Sequence, residues 1–156
     1  MNLPRSVILG CCLLCVSAQA APLAVGDPVP PISANDQHGT KFVFTNGIEF
    51  LLVATEMDCA KTANHKLAEQ GTGYLEQHHA VYLMDIHTMP GIARVFAFPK
   101  IRKYPERIVL VDSATMLTAF PMEPGRLTVL ALTPEGRIRK ISYWNPDHEP
   151  VDGCFR

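Results

Sequence analysis

Phe50-Leu51-Leu52-Val53-Ala54 runs into Asp58-Cys59-Ala60-Lys61-Thr62-Ala63-Asn64, and this junction organises the chain. A continuous apolar run without polar alternation is the pattern of a strand buried on both faces. Asp58 is placed to cap a helix in which Ala60, Ala63, Asn64 and Leu67 share one side. Gly71-Thr72-Gly73 breaks that helix, and a short helical piece spans Tyr74–His78. Ala80–Ile86 is the next apolar strand. Pro90 suits a helix start, and Ile92, Val95 and Phe96 fall at i, i+3, i+4 as an apolar face until Pro99 stops the helix. Arg107–Val111 supplies a third strand, closed by an Asp112-Ser113 turn.

Hairpins flank this core. Val25–Pro31 is Pro-rich and extended, Asn35-Asp36-Gln37-His38-Gly39 is dense in turn formers, and Lys41-Phe42-Val43-Phe44 reads as the return arm. Near the C-terminus, Leu127–Leu132 and Arg137–Tyr143 flank Thr133-Pro134-Glu135-Gly136, a hairpin turn. The tail, Asn145–Arg156, reads as irregular. The order is hairpin, β, α, β, α, β, hairpin. Right-handed crossovers place the helices on the faces of the sheet. The expected class is α/β: a three-layer sandwich with a central mixed sheet and an N-terminal hairpin, similar to the thioredoxin-like plan.

The chain has 156 residues, 47% hydrophobic and 19% charged, which excludes a disordered or collagen-like protein. Residues 1–20 read as a signal peptide: Arg5 is the positive n-region, Ser6–Val16 the apolar h-region, and Ala18-Gln19-Ala20 the cleavage site. The h-region is too short to span a bilayer, which needs roughly 20 residues. Ile8-Leu9-Gly10-Cys11 looks like a lipoprotein box, but cleavage there leaves almost no h-region. Residues 21–144 are expected to form the domain and 145–156 the tail. Removing the leader takes away Arg5 and three of the five cysteines, so the formal net charge moves from −1 to −2. Such a chain lacks the field that nucleic acid demands. The expected location is an oxidising compartment, a bacterial periplasm, with no membrane span.

Val25-Gly26-Asp27-Pro28-Val29-Pro30, with Asp36-Gln37-His38-Gly39, resembles the opening of peroxiredoxins and thiol oxidoreductases. Tyr104-Pro105 through Val111-Asp112, Thr128–Leu132 and Pro134-Glu135-Gly136-Arg137-Ile138 resemble their closing half. Met57-Asp58-Cys59-Ala60-Lys61, Gly73-Tyr74-Leu75-Glu76 and Asp85-Ile86-His87-Thr88-Met89-Pro90-Gly91 are similar to periplasmic thioredoxin-like proteins of the YtfJ-like group. Some of that group carry the label FAD/FMN-containing dehydrogenase. This chain has no Gly-x-Gly-x-x-Gly after a strand and no second domain for a flavin, so no cofactor is expected.

The resemblance implies a redox site after the first buried strand. Here Cys59-Ala60-Lys61-Thr62 stands in place of Cys-x-x-Cys. A helix N-terminus favours a thiolate, Lys61 adds positive charge, Asp58 opposes it, and Thr62 is placed to donate to the sulfur. Cys59 is thus either a nucleophile toward a disulfide or peroxide, or a small buried helix residue. The peroxidase pattern Pro-x-x-x-Thr/Ser-x-x-Cys is absent, since Leu52 and Glu56 stand at its first two positions. Cys154, the other cysteine after residue 20, is a resolving thiol, a structural staple or a free thiol. Pro124 and Lys61 are candidate substrate-binding residues. Pro124 competes with Pro105 for the proline that this fold sets beside its active site. Among the histidines, His87 pairs best with Cys59, but the ligand set is too small for a metal site. Two function classes stand: a thiol redox protein acting on a periplasmic protein or a small thiol or peroxide, and a non-catalytic binding module.

Overall fold

The computed structural model describes residues 21–156, so the leader reading lies outside the described residues. Seven strands form one mixed sheet in the order β2-β1-β5-β4-β3-β6-β7. They are β1 (Ser33–Asp36), β2 (Lys41–Val43), β3 (Phe50–Ala54), β4 (Ala80–Asp85), β5 (Ile108–Val111), β6 (Leu127–Leu132) and β7 (Ile138–Trp144). Strands β3, β4 and β5 are parallel, while β1, β2, β6 and β7 continue the sheet antiparallel at both sides.

Every residue of β3 is buried. Its side chains alternate between two cores: Phe50, Leu52 and Ala54 join one, Leu51 and Val53 the other. The first core packs under α1 (Met57–Glu69), α2 (Tyr74–Gln77), α3 (Gly91–Ile101) and a 3₁₀-helix at Val151–Phe155. The steps β3 to β4 and β4 to β5 go the same way along the sheet, so crossovers of one hand put α1 and α3 on one face. Among the described residues, the second face carries no helix. Leu23, Val29, Leu117 and Phe120 from extended and turn segments cover it. The three layers are therefore helices, sheet and loop.

Several local expectations change. Glu56, not Asp58, is the N-cap of α1; it makes no side-chain cap bond, and Asp58 lies within the first turn. Pro99 sits inside α3, which runs on to Ile101. A proline costs the helix one N–H bond, and here its ring is exposed at the last turn, where little packing is disturbed. The i, i+3, i+4 spacing of Ile92, Val95 and Phe96 does lie on a helix, and the stripe it marks faces outward, with the three side chains 70%, 65% and 67% exposed. The inward side of α3 is instead made by Ala93, Ala97, Phe98 and Ile101. The C-terminal tail is partly regular, since its 3₁₀-helix buries Val151 and Cys154. Among the described residues, no helix is long and apolar enough to cross a membrane.

Candidate functional site

Cys59 is the third residue of α1, directly beyond the C-terminal end of β3. Its side chain does not face solvent: the residue is 7% exposed and belongs to the core under the helices. Burial pushes its thiol up to about 11, and the carboxylates of Glu56 and Asp147 push the same way. A helix N-terminus stabilises an anion by about 0.3–1 kcal/mol. Desolvation and two negative charges outweigh that here.

The expected helpers are elsewhere. Thr62 donates its hydroxyl to the carbonyl oxygen of Asp58 at 3.4 Å, one helical turn back. Lys61 is exposed, and the charges that act on the thiol are negative. Pro124 is exposed, and no described peptide bond is cis, at Pro105 or Pro124 included. The loop that carries Pro124 does reach the start of α1, because the Gly125 N–H donates to Glu56 Oε2 at 3.0 Å. Cys154 is a free, buried thiol in the same core as Cys59, and burial raises its pKa well above the ordinary thiol range.

The C-terminal segment closes this region. Trp144 Nε1 donates to the Glu149 carbonyl at 3.3 Å, and the Asn145 N–H donates to Glu149 Oε2 at 3.0 Å. Tyr74 donates its hydroxyl to Asp152 Oδ1 at 2.6 Å, tying the tail to α2. Phe155 stacks on His78 with ring centroids 4.1 Å apart. These contacts hold Asp147 and Cys154 over the helical face. Sequence reading missed Glu56 and Asp147 as the charges at the thiol. Glu56 was detectable from its position just before the helix, whereas Asp147 is remote in sequence and left no local trace.

A second polar group lies at the C-terminal ends of the parallel strands. His87 Nδ1 is 2.7 Å from Asp85 Oδ1, which also accepts the His87 backbone N–H at 2.9 Å. Thr55, Asp85, His87 and Ser113 line a cavity of about 90 Å³ there. The i, i+2 spacing of Asp85 and His87 at a strand end was its readable trace. Among the described residues, no group of three or more His, Cys, Asp or Glu side chains converges as a metal set. A larger cavity of about 420 Å³ lies between β1 and α3, lined by Asn35, Arg94, Phe98 and Arg102, away from the thiol.

No protein-family profile and no curated protein matches this chain. Solved structures do. A peroxiredoxin-like protein from Aquifex aeolicus is 13% identical, with a TM-score of 0.57 over 86% of this chain and 85% of that one. The thioredoxin domain of a thiol-disulfide oxidoreductase from Bacteroides vulgatus is 15% identical, with a TM-score of 0.57 over 86% and 99%. A candidate DsbE thiol:disulfide interchange protein from Chlorobium tepidum is 11% identical, with a TM-score of 0.59 over 85% and 95%. At these identities the likeness is one of architecture: the chain has the thioredoxin-like fold of peroxiredoxin-like and thiol-disulfide interchange proteins.

Proposed function

We propose that the chain is a thiol redox protein of an oxidising, extracytoplasmic compartment, acting through Cys59 with Cys154 as second thiol. The observation that carries this reading is the position of Cys59, in the first turn of the helix that follows the fully buried strand β3. The names of the similar structures, which are peroxiredoxin-like and thiol-disulfide proteins, support it. The signal-peptide pattern of residues 1–20 and the likeness to the YtfJ-like group support the compartment.

In this reading the Cys59 thiolate attacks one sulfur of a substrate disulfide, forming a mixed disulfide and releasing the other sulfur as a thiolate. The Cys154 thiolate then attacks Cys59, which releases the reduced substrate and leaves a Cys59–Cys154 disulfide. An external dithiol takes up that oxidation and restores both thiols. The tail must shift for this cycle, because Cys154 is packed in its 3₁₀-helix.

The burial of Cys59 favours a second reading, a binding module that has kept the fold and lost the chemistry. With its pKa pushed up to about 11, the resting thiolate fraction at pH 7 is about one in ten thousand. Alkylation across pH 4–10, read by peptide mass, with reduction of a model disulfide and of hydrogen peroxide by the wild type and Cys59→Ser, separates the two. The redox reading expects turnover that Cys59→Ser abolishes and a mixed disulfide trapped in Cys154→Ser. Equal activity in wild type and Cys59→Ser, or no Cys59 labelling before unfolding, overturns it and leaves the binding module.

A further inference from the structure

The outer side of α3 is built unlike the rest of the surface. Ile92, Val95 and Phe96 stand at i, i+3 and i+4 with about two-thirds of each side chain in water. The same stripe continues through Pro99 and Lys100 and, just past the helix end, Lys103, all exposed; Arg102 is engaged elsewhere, its Nε donating to the Gln37 carbonyl at 3.2 Å. The stripe is apolar for two turns and cationic at its C-terminal end. Among the described residues, no carboxylate pairs with Lys100 or Lys103. We propose that this stripe docks the protein on an anionic phospholipid surface. Ile92, Val95 and Phe96 enter the boundary of the acyl chains, and the ammonium groups of Lys100 and Lys103 meet lipid phosphates.

Three features favour a bilayer. Side chains this exposed project from a helix and do not line a groove, so they suit a soft apolar medium better than a peptide laid into a cleft. Contiguous apolar exposure is unusual on a soluble domain and marks a docking face. The charges also disfavour a second copy of this chain. An antiparallel twofold pairing of α3 brings Lys100 and Lys103 to the first turn of the partner helix, and that turn has no acidic residue. Beyond it, Asp112 is already held by Arg94 through bonds of 2.5 and 2.8 Å. An anionic membrane supplies the missing negative charge and the apolar medium together. The inference stands on α3 and the lysines at its C-terminal end and does not need a reactive Cys59.

The test is co-sedimentation of the chain from Ala21 onward, which contains the whole sheet and both cores, with lipid vesicles. Vesicles of phosphatidylcholine alone are compared with vesicles containing phosphatidylglycerol. Binding is expected with phosphatidylglycerol, falling at least roughly tenfold without it and falling again with added salt. Val95→Ser with Phe96→Ser is expected to lower partitioning at least roughly tenfold. Lys100→Ser and Lys103→Ser are each expected to lower it about fivefold. All four positions are exposed, so circular dichroism and the melting temperature stay unchanged in the variants. Absence of binding to phosphatidylglycerol vesicles overturns the inference, as does binding that survives Val95→Ser with Phe96→Ser. A concentration-dependent dimer that Phe96→Ser dissolves also overturns it, because a second copy then covers the stripe.

Discussion

Glu56 Oε2 accepts the backbone N–H of Gly125 at 3.0 Å, so the carboxylate that precedes the thiol helix also holds the loop leading into β6. One side chain thereby couples loop position to the charge felt by Cys59. Glu56→Gln keeps an acceptor for Gly125 and removes the charge. The expected outcome is a Cys59 pKa below the wild-type value of about 11, with little change in fold. Asp147→Asn should act in the same direction. Rates of iodoacetamide labelling between pH 7 and 11, read by peptide mass, measure both. Because burial is the largest cause of the shift, neither variant should bring the thiol down to the reference of about 8.5.

Loss of the tail should have a larger effect. Residues 145–156 contribute Asp147, Val151 and Cys154 to the surroundings of the helical core. A chain ending at Trp144 is expected to label at Cys59 about tenfold or more faster at pH 8, through lost burial and one lost negative charge. Trp144, 2% exposed in the intact chain, should shift its emission to longer wavelength in the same sample. An unshifted emission together with unchanged labelling would mean that the tail does not shield the thiol.

The parts of this fold that were readable in sequence are those set by local rules. Phe50–Ala54 matches β3 because a run of five apolar residues between polar Glu49 and Thr55 is too short for a buried helix and suits a strand covered on both faces. The hairpin turn at Thr133–Gly136 is local chemistry: Gly136 has φ +76°, and its N–H closes the turn on the Thr133 carbonyl at 2.9 Å. The spacing of Ile92, Val95 and Phe96 was equally regular and pointed outward, because a helical period marks a stripe without saying what covers it. The site was less legible still. Cys59 was found from its place after β3, but its surroundings depend on Asp147, which only the folded tail brings near. Thr62 bonds back to the carbonyl of Asp58, the local option open to any threonine inside a helix.

Asp36 should govern the acid limb of stability. It is 7% exposed, and its oxygens accept the N–H groups of His38 and Thr40 at 3.0 and 2.9 Å and Arg107 Nε at 3.0 Å. Burial alone would raise its pKa, but these donors and the Arg107 charge together hold it below the ordinary value of 3.8. A depressed carboxyl stabilises the fold above its unfolded pKa, and that stability is lost as pH falls through the folded value. Asp36→Asn is therefore expected to cost about 1–3 kcal/mol at pH 7 and progressively less below pH ~4. Urea denaturation at pH 3 and pH 7 measures the difference.

Glu106 should have the opposite sign. It is 2% exposed, and neither carboxylate oxygen has a hydrogen-bond partner of good geometry. Burial raises its pKa; the N–H groups of Leu75 and Tyr74 offset part of that, and the nearby Glu76 charge adds to it. A raised folded pKa means that the native state holds the proton more tightly than the unfolded chain. Its ionisation thus lowers stability as pH climbs from the unfolded value near 4.5 through the folded one. Glu106→Gln removes the charge and keeps the shape, so it is expected to stabilise the protein at pH 8 by about 1–3 kcal/mol. The gain should shrink toward zero below pH ~4.5, where the wild-type carboxyl is already neutral. Melting temperatures of both proteins at pH 4, 6 and 8 measure this. A gain independent of pH would mean that the substitution acts by packing and not by removing a buried charge.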